Sequence, residues 1–155
     1  MRRRAQPGRM TSTAVDKTRS SPGTVVRSPA LWLGIGIGIV GLADTGRFDP
    51  SGLTTFMLPL LALSYLIFAA FRHGPRRSAA LRIQTAGVLG FTALAMVALV
   101  ADPVLGRCLV AAGWLAHAGW DVAHRDGRVV PKWYVRFCIP LDLLMAVSLV
   151  IGGQP

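Results

Sequence analysis

The segment LTTFMLPLLALSYLIFAAF, Leu53–Phe71, decides the fold class of this chain. Its nineteen residues carry no charge, and as an α-helix they would extend about 28 Å, close to the thickness of a bilayer's hydrocarbon core. Pro59 lies inside the segment, but transmembrane helices tolerate proline. The segment therefore predicts a transmembrane helix, and a basic cluster beginning at Arg72 marks its end.

Other apolar segments predict four more transmembrane helices. They are Ala30 to Ala43, Ile83 to Ala101, about Val104 to His124, and about Trp133 to Ile151. The first is short and ends in Gly41-Leu42-Ala43, which resembles a signal-peptide cleavage site. We therefore predict an all-α polytopic membrane helix bundle over residues 30–155, with five helices, or four if the first is a cleaved signal. Helices two to five should pack as antiparallel neighbours because their connections are short.

The composition agrees with a chain solvated by lipid. Hydrophobic residues make up 52% of the chain and charged residues 15%, and the mean hydropathy is +0.49. Seventeen Lys and Arg oppose seven acidic residues, for a net charge of +10. In a soluble protein this excess would suggest nucleic acid. Here the basic residues flank apolar segments, so the expected partners are membrane lipids and no nucleic acid.

The distribution of basic residues predicts the orientation, because cytoplasmic loops carry the excess of Lys and Arg. Residues 1–29 hold seven basic residues and few apolar ones, which indicates a disordered cytoplasmic tail. Four more lie between Arg72 and Arg82 and four between Arg125 and Arg136, whereas only Arg47 and Arg107 fall on the other side. The predicted location is the bacterial cytoplasmic membrane, crossed several times, with the amino terminus in the cytoplasm.

Cys108 and Cys138 fall near opposite faces of the membrane in this topology. A disulfide tolerates a Cα separation of only about 6 Å, so we expect both thiols to be free. Both are interpreted as small buried hydrophobic residues.

Ionisable residues cluster in the last two predicted helices. His117, Asp121 and His124 are spaced i, i+4, i+7, which puts them within about 60° on one helix face. Asp142 should lie at a similar depth on the next helix, because a short cytoplasmic hairpin joins the two. A charged group in hydrocarbon costs about 2.5–3.5 kcal/mol on insertion scales. We therefore predict that Asp142 turns into the bundle and meets His117 and Asp121.

Three roles are open for this cluster. Imidazoles and carboxylates together can bind Zn²⁺, Fe²⁺ or Mn²⁺. An aspartate beside a histidine can orient the ring for proton transfer on a substrate reached from the inner leaflet. The third possibility is structural, with the carboxylates holding the His rings and indoles such as that of Trp120 without any chemistry. Cofactor and metal are both unknown at this point.

In the same region the string HAGWDVAH, His117 to His124, is followed by Val130-Pro131, Trp133-Tyr134, Phe137-Cys138 and Asp142. This pattern resembles that of a group of small bacterial integral membrane proteins of uncharacterised activity. It covers about the last third of the chain. It implies that these residues occur together, and it implies no activity.

The sequence thus predicts a small membrane protein with a polar site in the cytoplasmic half of the bundle. The site would bind or modify a lipophilic molecule. The alternative is a non-enzymatic accessory or assembly subunit of a larger membrane complex. It would meet a membrane-protein partner through Gly34 and Gly38, whose GxxxG spacing lets another helix approach closely.

Overall fold

The computed structural model describes residues 26–43, 52–71 and 77–152. All regular elements in these ranges are helical, which confirms the all-α part of the predicted fold class. The five main helices are α1 (Pro29–Ala43), α2 (Leu53–Phe71), α3 (Arg77–Val100), α4 (Pro103–Ala123) and α5 (Lys132–Ile151). By length and composition, α2, α3 and α5 can cross a membrane, whereas α1 is a shorter apolar helix.

Several predicted features lie outside the described residues. These are the tail up to residue 25, the segment 44–51 with Arg47, the cluster Arg72 to Arg76, and the carboxyl terminus from residue 153. The tail and the bundle were predicted to meet between residues 29 and 30. Pro29 is the first residue of α1, a position at which the missing N–H costs nothing.

The ends of α3 and α4 follow from local chemistry. α3 begins at Arg77, six residues before the predicted start at Ile83, because Ser78-Ala79-Ala80-Leu81 continues the helix beyond the apolar segment. α4 begins after Asp102, whose carboxylate accepts hydrogen bonds from the backbone N–H groups of Val104 at 3.1 Å and Leu105 at 3.0 Å.

α1 packs on α5 through its glycines. A Cβ added to Gly34 would lie 2.1 Å from the carbonyl oxygen of Phe137, and one added to Gly38 would lie 2.6 Å from Leu144 Cδ1. The two backbones approach so closely that only glycine fits at position 34. The glycine face predicted for a partner therefore contacts the same chain.

The pairing of residues shows the relative directions of the helices. Gly34 meets Phe137 and Gly41 meets Met145, so α1 and α5 are parallel. The contacts of Gln84 with Trp120 and of Leu94 with Gly113 make α3 and α4 antiparallel. α4 and α5 are joined by a connection of only eight residues, 124–131, and pack on each other. The consecutive pairs α3–α4 and α4–α5 are thus antiparallel, as the short connections predicted, whereas α1 and α5 are neighbours that run in the same direction.

The bundle carries large apolar side chains on its outside and polar side chains inside. Exposed examples are Leu89, Val100, Trp32 and Val150, whereas Gln84, His117, Asp121 and Asp142 are buried. This distribution suits a lipid environment. Both cysteines are free, as predicted, but Cys108 is exposed, so its interpretation as a buried residue was wrong. Its position on α4 faces away from the neighbouring helices, while Cys138 is buried.

Candidate functional site

His117, Asp121 and Asp142 form one buried cluster, which we call the His–Asp site. Each of the three side chains is 0% exposed. His117 and Asp121 are one turn apart on α4, and Asp142 faces them from α5. The three residues therefore come together only because α4 and α5 pack face to face.

A hydrogen bond joins the two helices at this site. The Nδ1 atom of His117 lies 2.9 Å from Oδ2 of Asp142 and 4.0 Å from Oδ1 of Asp121. In the tautomer that carries the proton on Nδ1, the imidazole donates to Asp142. The carboxylate then fixes both the tautomer and the orientation of the ring.

A third helix supports the other carboxylate. The hydroxyl of Tyr65, on α2, donates a hydrogen bond to Oδ1 of Asp121. Tyr65 is itself 0% exposed, and its ring packs edge-on against that of His117, with centroids 5.9 Å apart. The site is thus held by α2, α4 and α5 together.

One polar atom of each residue in the site lacks a hydrogen-bond partner within the described part of the chain. These atoms are His117 Nε2, Asp121 Oδ2 and Asp142 Oδ1. An unpaired buried polar atom costs about 1–3 kcal/mol. Because the carboxyl groups of Asp121 and Asp142 also interact with each other, the remaining bonding capacity for a ligand, a proton or water lies at His117 Nε2 and at this carboxyl pair.

His124 belongs to a neighbouring network instead. Its Nε2 atom lies 2.9 Å from Gln84 Nε2, and its Nδ1 atom lies 2.8 Å from the carbonyl oxygen of Trp120. The indole N–H of Trp120 donates to Gln84 Oε1 at 3.1 Å. The ring of Tyr65 separates this network from the His–Asp site, with its centroid 5.4 Å from that of His124. Of the four predicted site residues, the structure brings together His117, Asp121 and Asp142 and leaves His124 beside them.

The arrangement is suited to two kinds of chemistry. An imidazole whose Nδ1 is held by a carboxylate can accept or donate a proton at Nε2. Alternatively, His117, Asp121 and Asp142 each offer one ligand atom, and these atoms lie within 4.8 Å of one another, as in a site for a divalent cation. Tyr65 would then hydrogen-bond a ligating carboxylate, as outer-shell groups commonly do.

Tyr65 and Phe91 contact the His–Asp site but were not predicted from the sequence as site residues. Tyr65 lies inside an apolar segment, whereas tyrosines of membrane proteins usually lie near the interface. This unusual position could have indicated that its hydroxyl has a polar partner inside the bundle. Phe91, on α3, packs edge-on against His117 with ring centroids 5.3 Å apart. One phenylalanine among many apolar residues carries no comparable signal.

Comparisons with protein families, with curated proteins and with solved structures found no match.

Proposed function

We propose that this chain is a five-span protein of the bacterial cytoplasmic membrane whose His–Asp site performs acid–base chemistry on a lipophilic molecule. The proposed topology places the amino terminus and the 124–131 hairpin in the cytoplasm. Fifteen of seventeen basic residues then lie on the cytoplasmic side. The alternating helix directions support this arrangement, and so does the apolar surface of the bundle.

The observation that carries the proposed chemistry is the hydrogen bond of 2.9 Å between His117 Nδ1 and Asp142 Oδ2. It holds the ring while Nε2 remains without a partner among the described residues. A purely structural histidine in an apolar bundle would be expected to use both ring nitrogens, because each unpaired one is costly. Nε2 is therefore the atom proposed to exchange a proton with the bound molecule.

The surroundings make a lipophilic molecule the reasonable ligand. The site is fully buried among helices whose outer faces are apolar, so access from water is poorer than access from the bilayer. A molecule that partitions into the bilayer and carries one group able to donate or accept a proton, such as a hydroxyl or a carbonyl, would match a single free imidazole nitrogen.

The experiment uses the Asp142→Asn variant. An amide keeps the volume and can still hydrogen-bond a neutral imidazole, so the thermal transition should stay within a few degrees of wild type. The lipid extract of cells that produce the wild type should show a species, measured by mass spectrometry, that the variant does not produce. Thr55→Val is the matched control, because Thr55 is also buried and its hydroxyl has no partner within the described ranges. Identical lipid profiles for wild type and Asp142→Asn would overturn the proposal.

A metal site is the second candidate, and the closeness of three ligand atoms favours it. Two carboxylates would balance the charge of a divalent cation in a low-dielectric interior. Elemental analysis of the purified protein distinguishes the candidates. About one equivalent of Zn, Fe or Mn that is lost in Asp121→Asn would favour the metal, since three ligands are the usual protein share of a catalytic site. Protein free of metal with an intact lipid effect would favour acid–base chemistry.

Assembly with a membrane-protein partner through Gly34 and Gly38 stays a prediction. The face that it requires is covered by α5, so a partner would have to displace that helix or bind elsewhere.

A further inference from the structure

A groove runs between α3 and α4 on the outside of the bundle, beside the His–Asp site. It has a volume of about 340 Å³, and its lining residues are Ala86, Gly87, Gly90, Phe91, Leu94, Ala116 and Trp120. This volume is within the range of sites that bind small organic molecules.

Small residues on both helices create the groove. A Cβ added to Gly90 would meet nothing within 4 Å, and Ala116 on the facing helix is exposed. At Gly87 a Cβ would lie 3.0 Å from Trp120 Cζ2, so this glycine lets the indole approach α3 closely. The result is an apolar channel with one aromatic wall, formed by Phe91 and Trp120.

A cationic side chain lies at one end of the groove. Arg82 is four residues before Ala86 and eight before Gly90, so all three share one row along α3. Arg82 is exposed and has no ion pair among residues 26–43, 52–71 and 77–152. Helical side chains point toward the helix amino terminus, so the guanidinium extends beyond the groove, where lipid head groups lie in the proposed topology.

We propose that the α3–α4 groove binds one acyl chain of an anionic phospholipid, whose phosphate lies at Arg82. The groove opens on an apolar surface at the depth of the hydrocarbon, which makes a hydrocarbon chain the fitting occupant. The unpaired cation at its end selects a negatively charged head group, which is abundant in the cytoplasmic leaflet.

The groove also provides a route toward the His–Asp site. Phe91 lines the groove, and the centroid of its ring lies 5.3 Å from that of the His117 ring. Rotation of this one side chain would bring a bound chain next to the imidazole. This link rests on the proposed chemistry of the His–Asp site, whereas lipid binding in the groove rests only on the proposed topology.

The test is native mass spectrometry of the full chain in detergent, titrated with phosphatidylglycerol or phosphatidylcholine with the same acyl chains. Wild type should bind phosphatidylglycerol about fivefold more tightly, as expected for one favourable charge near the head group. Gly90→Leu fills the groove and excludes about two methylenes, so it should weaken the binding of both lipids about tenfold. Gly36→Leu is the matched control, because position 36 of α1 also faces open space.

Two further variants complete the test. Arg82→Gln should remove the preference for phosphatidylglycerol, because it weakens the binding of this anionic lipid more than that of zwitterionic phosphatidylcholine. Ala116→Leu fills the groove from α4 and replaces Gly90→Leu if that variant does not fold. If the folded groove-filling variant binds lipid as tightly as Gly36→Leu, or if wild type does not distinguish the two lipids, the groove proposal is wrong.

The outcome for the groove is separate from that for the His–Asp site. Asp142→Asn should bind phosphatidylglycerol like wild type, since Asp142 does not line the groove. If the groove test fails while Asp142→Asn still abolishes the lipid-extract species, only the groove proposal is overturned. If the lipid-extract species is insensitive to Asp142 while the groove binds lipid as expected, only the acid–base proposal is overturned.

Discussion

Tyr65 is the residue that connects the His–Asp site to α2. Its hydroxyl donates to Asp121 Oδ1, while Asp121 Oδ2 has no partner in the described part of the molecule. Besides the neighbouring carboxyl group of Asp142, Tyr65 is thus the group that hydrogen-bonds the Asp121 side chain. A carboxylate without any donor would be costly at this depth.

Tyr65→Phe should lower the free energy of unfolding by about 1–3 kcal/mol, because it removes the hydrogen bond to the buried Oδ1 atom of Asp121. The measurement is a denaturant titration in detergent micelles, followed by tryptophan fluorescence. Thr55→Val is the control, since it removes a buried hydroxyl that bonds to nothing in the described ranges, and it should be neutral or slightly stabilising. If Tyr65→Phe were as stable as Thr55→Val, the hydrogen bond to Asp121 would not support the site.

At the scale of helices, the contact between α1 and α5 depends on glycine. α1 is shorter than the helices that can cross a membrane by themselves, and its position in the bundle is fixed by packing along α5. The approach is closest at Gly34, where the neighbour is a backbone carbonyl oxygen that cannot move aside as a side chain would. The same contact positions α5, which carries Asp142.

Gly34→Ala should therefore destabilise the protein by about 1–3 kcal/mol, as expected for overpacking, even though alanine favours helix formation. Gly36→Ala is the matched control on the same helix. It makes the same chemical change in open space and should be neutral or stabilising. Thermal unfolding of both variants in the same detergent gives the comparison. Equal transition temperatures would show that α1 does not rest on α5 as described.

At the scale of the whole molecule, the direction of each helix determines which leaflet holds the His–Asp site. Basic residues at the 124–131 hairpin and at the start of α3 lie at the same end of the bundle, because Gln84 of α3 contacts Trp120 and His124 of α4. The proposed topology places this end in the cytoplasm, because basic residues are concentrated there.

A reporter fused after Pro155 should accordingly be active only in the periplasm, and one inserted between Arg125 and Lys132 only in the cytoplasm. Alkaline phosphatase and a fluorescent protein report the two compartments. Activity on the same side at both positions would show that α5 does not cross the membrane. The same fusions at Gly36, within α1, are not informative because they would interrupt a helix.

Several features were predictable from the sequence because they depend on composition and periodicity along the chain. The helices, their approximate bounds and the placement of His117 and Asp121 on one face follow from apolar length and from the 3.6-residue repeat. The side of α5 on which Asp142 lies was also predictable, since a carboxylate facing lipid is costly. The earlier start of α3 at Arg77 was not predicted, because apolar length gives the span and not the end of the helix.

Tertiary packing alone decided the partners of each side chain. The assignment of His124 to Gln84 and Trp120 rather than to Asp121 depends on where α2 inserts the ring of Tyr65. The GxxxG pair, Gly34 and Gly38, predicts a close helix contact but does not say whether the other helix belongs to the same chain, and the structure places α5 there. The groove beside Phe91 likewise exists only between two packed helices. Local sequence determines which faces are apolar, polar or small, whereas the pairing of those faces depends on all the helices at once.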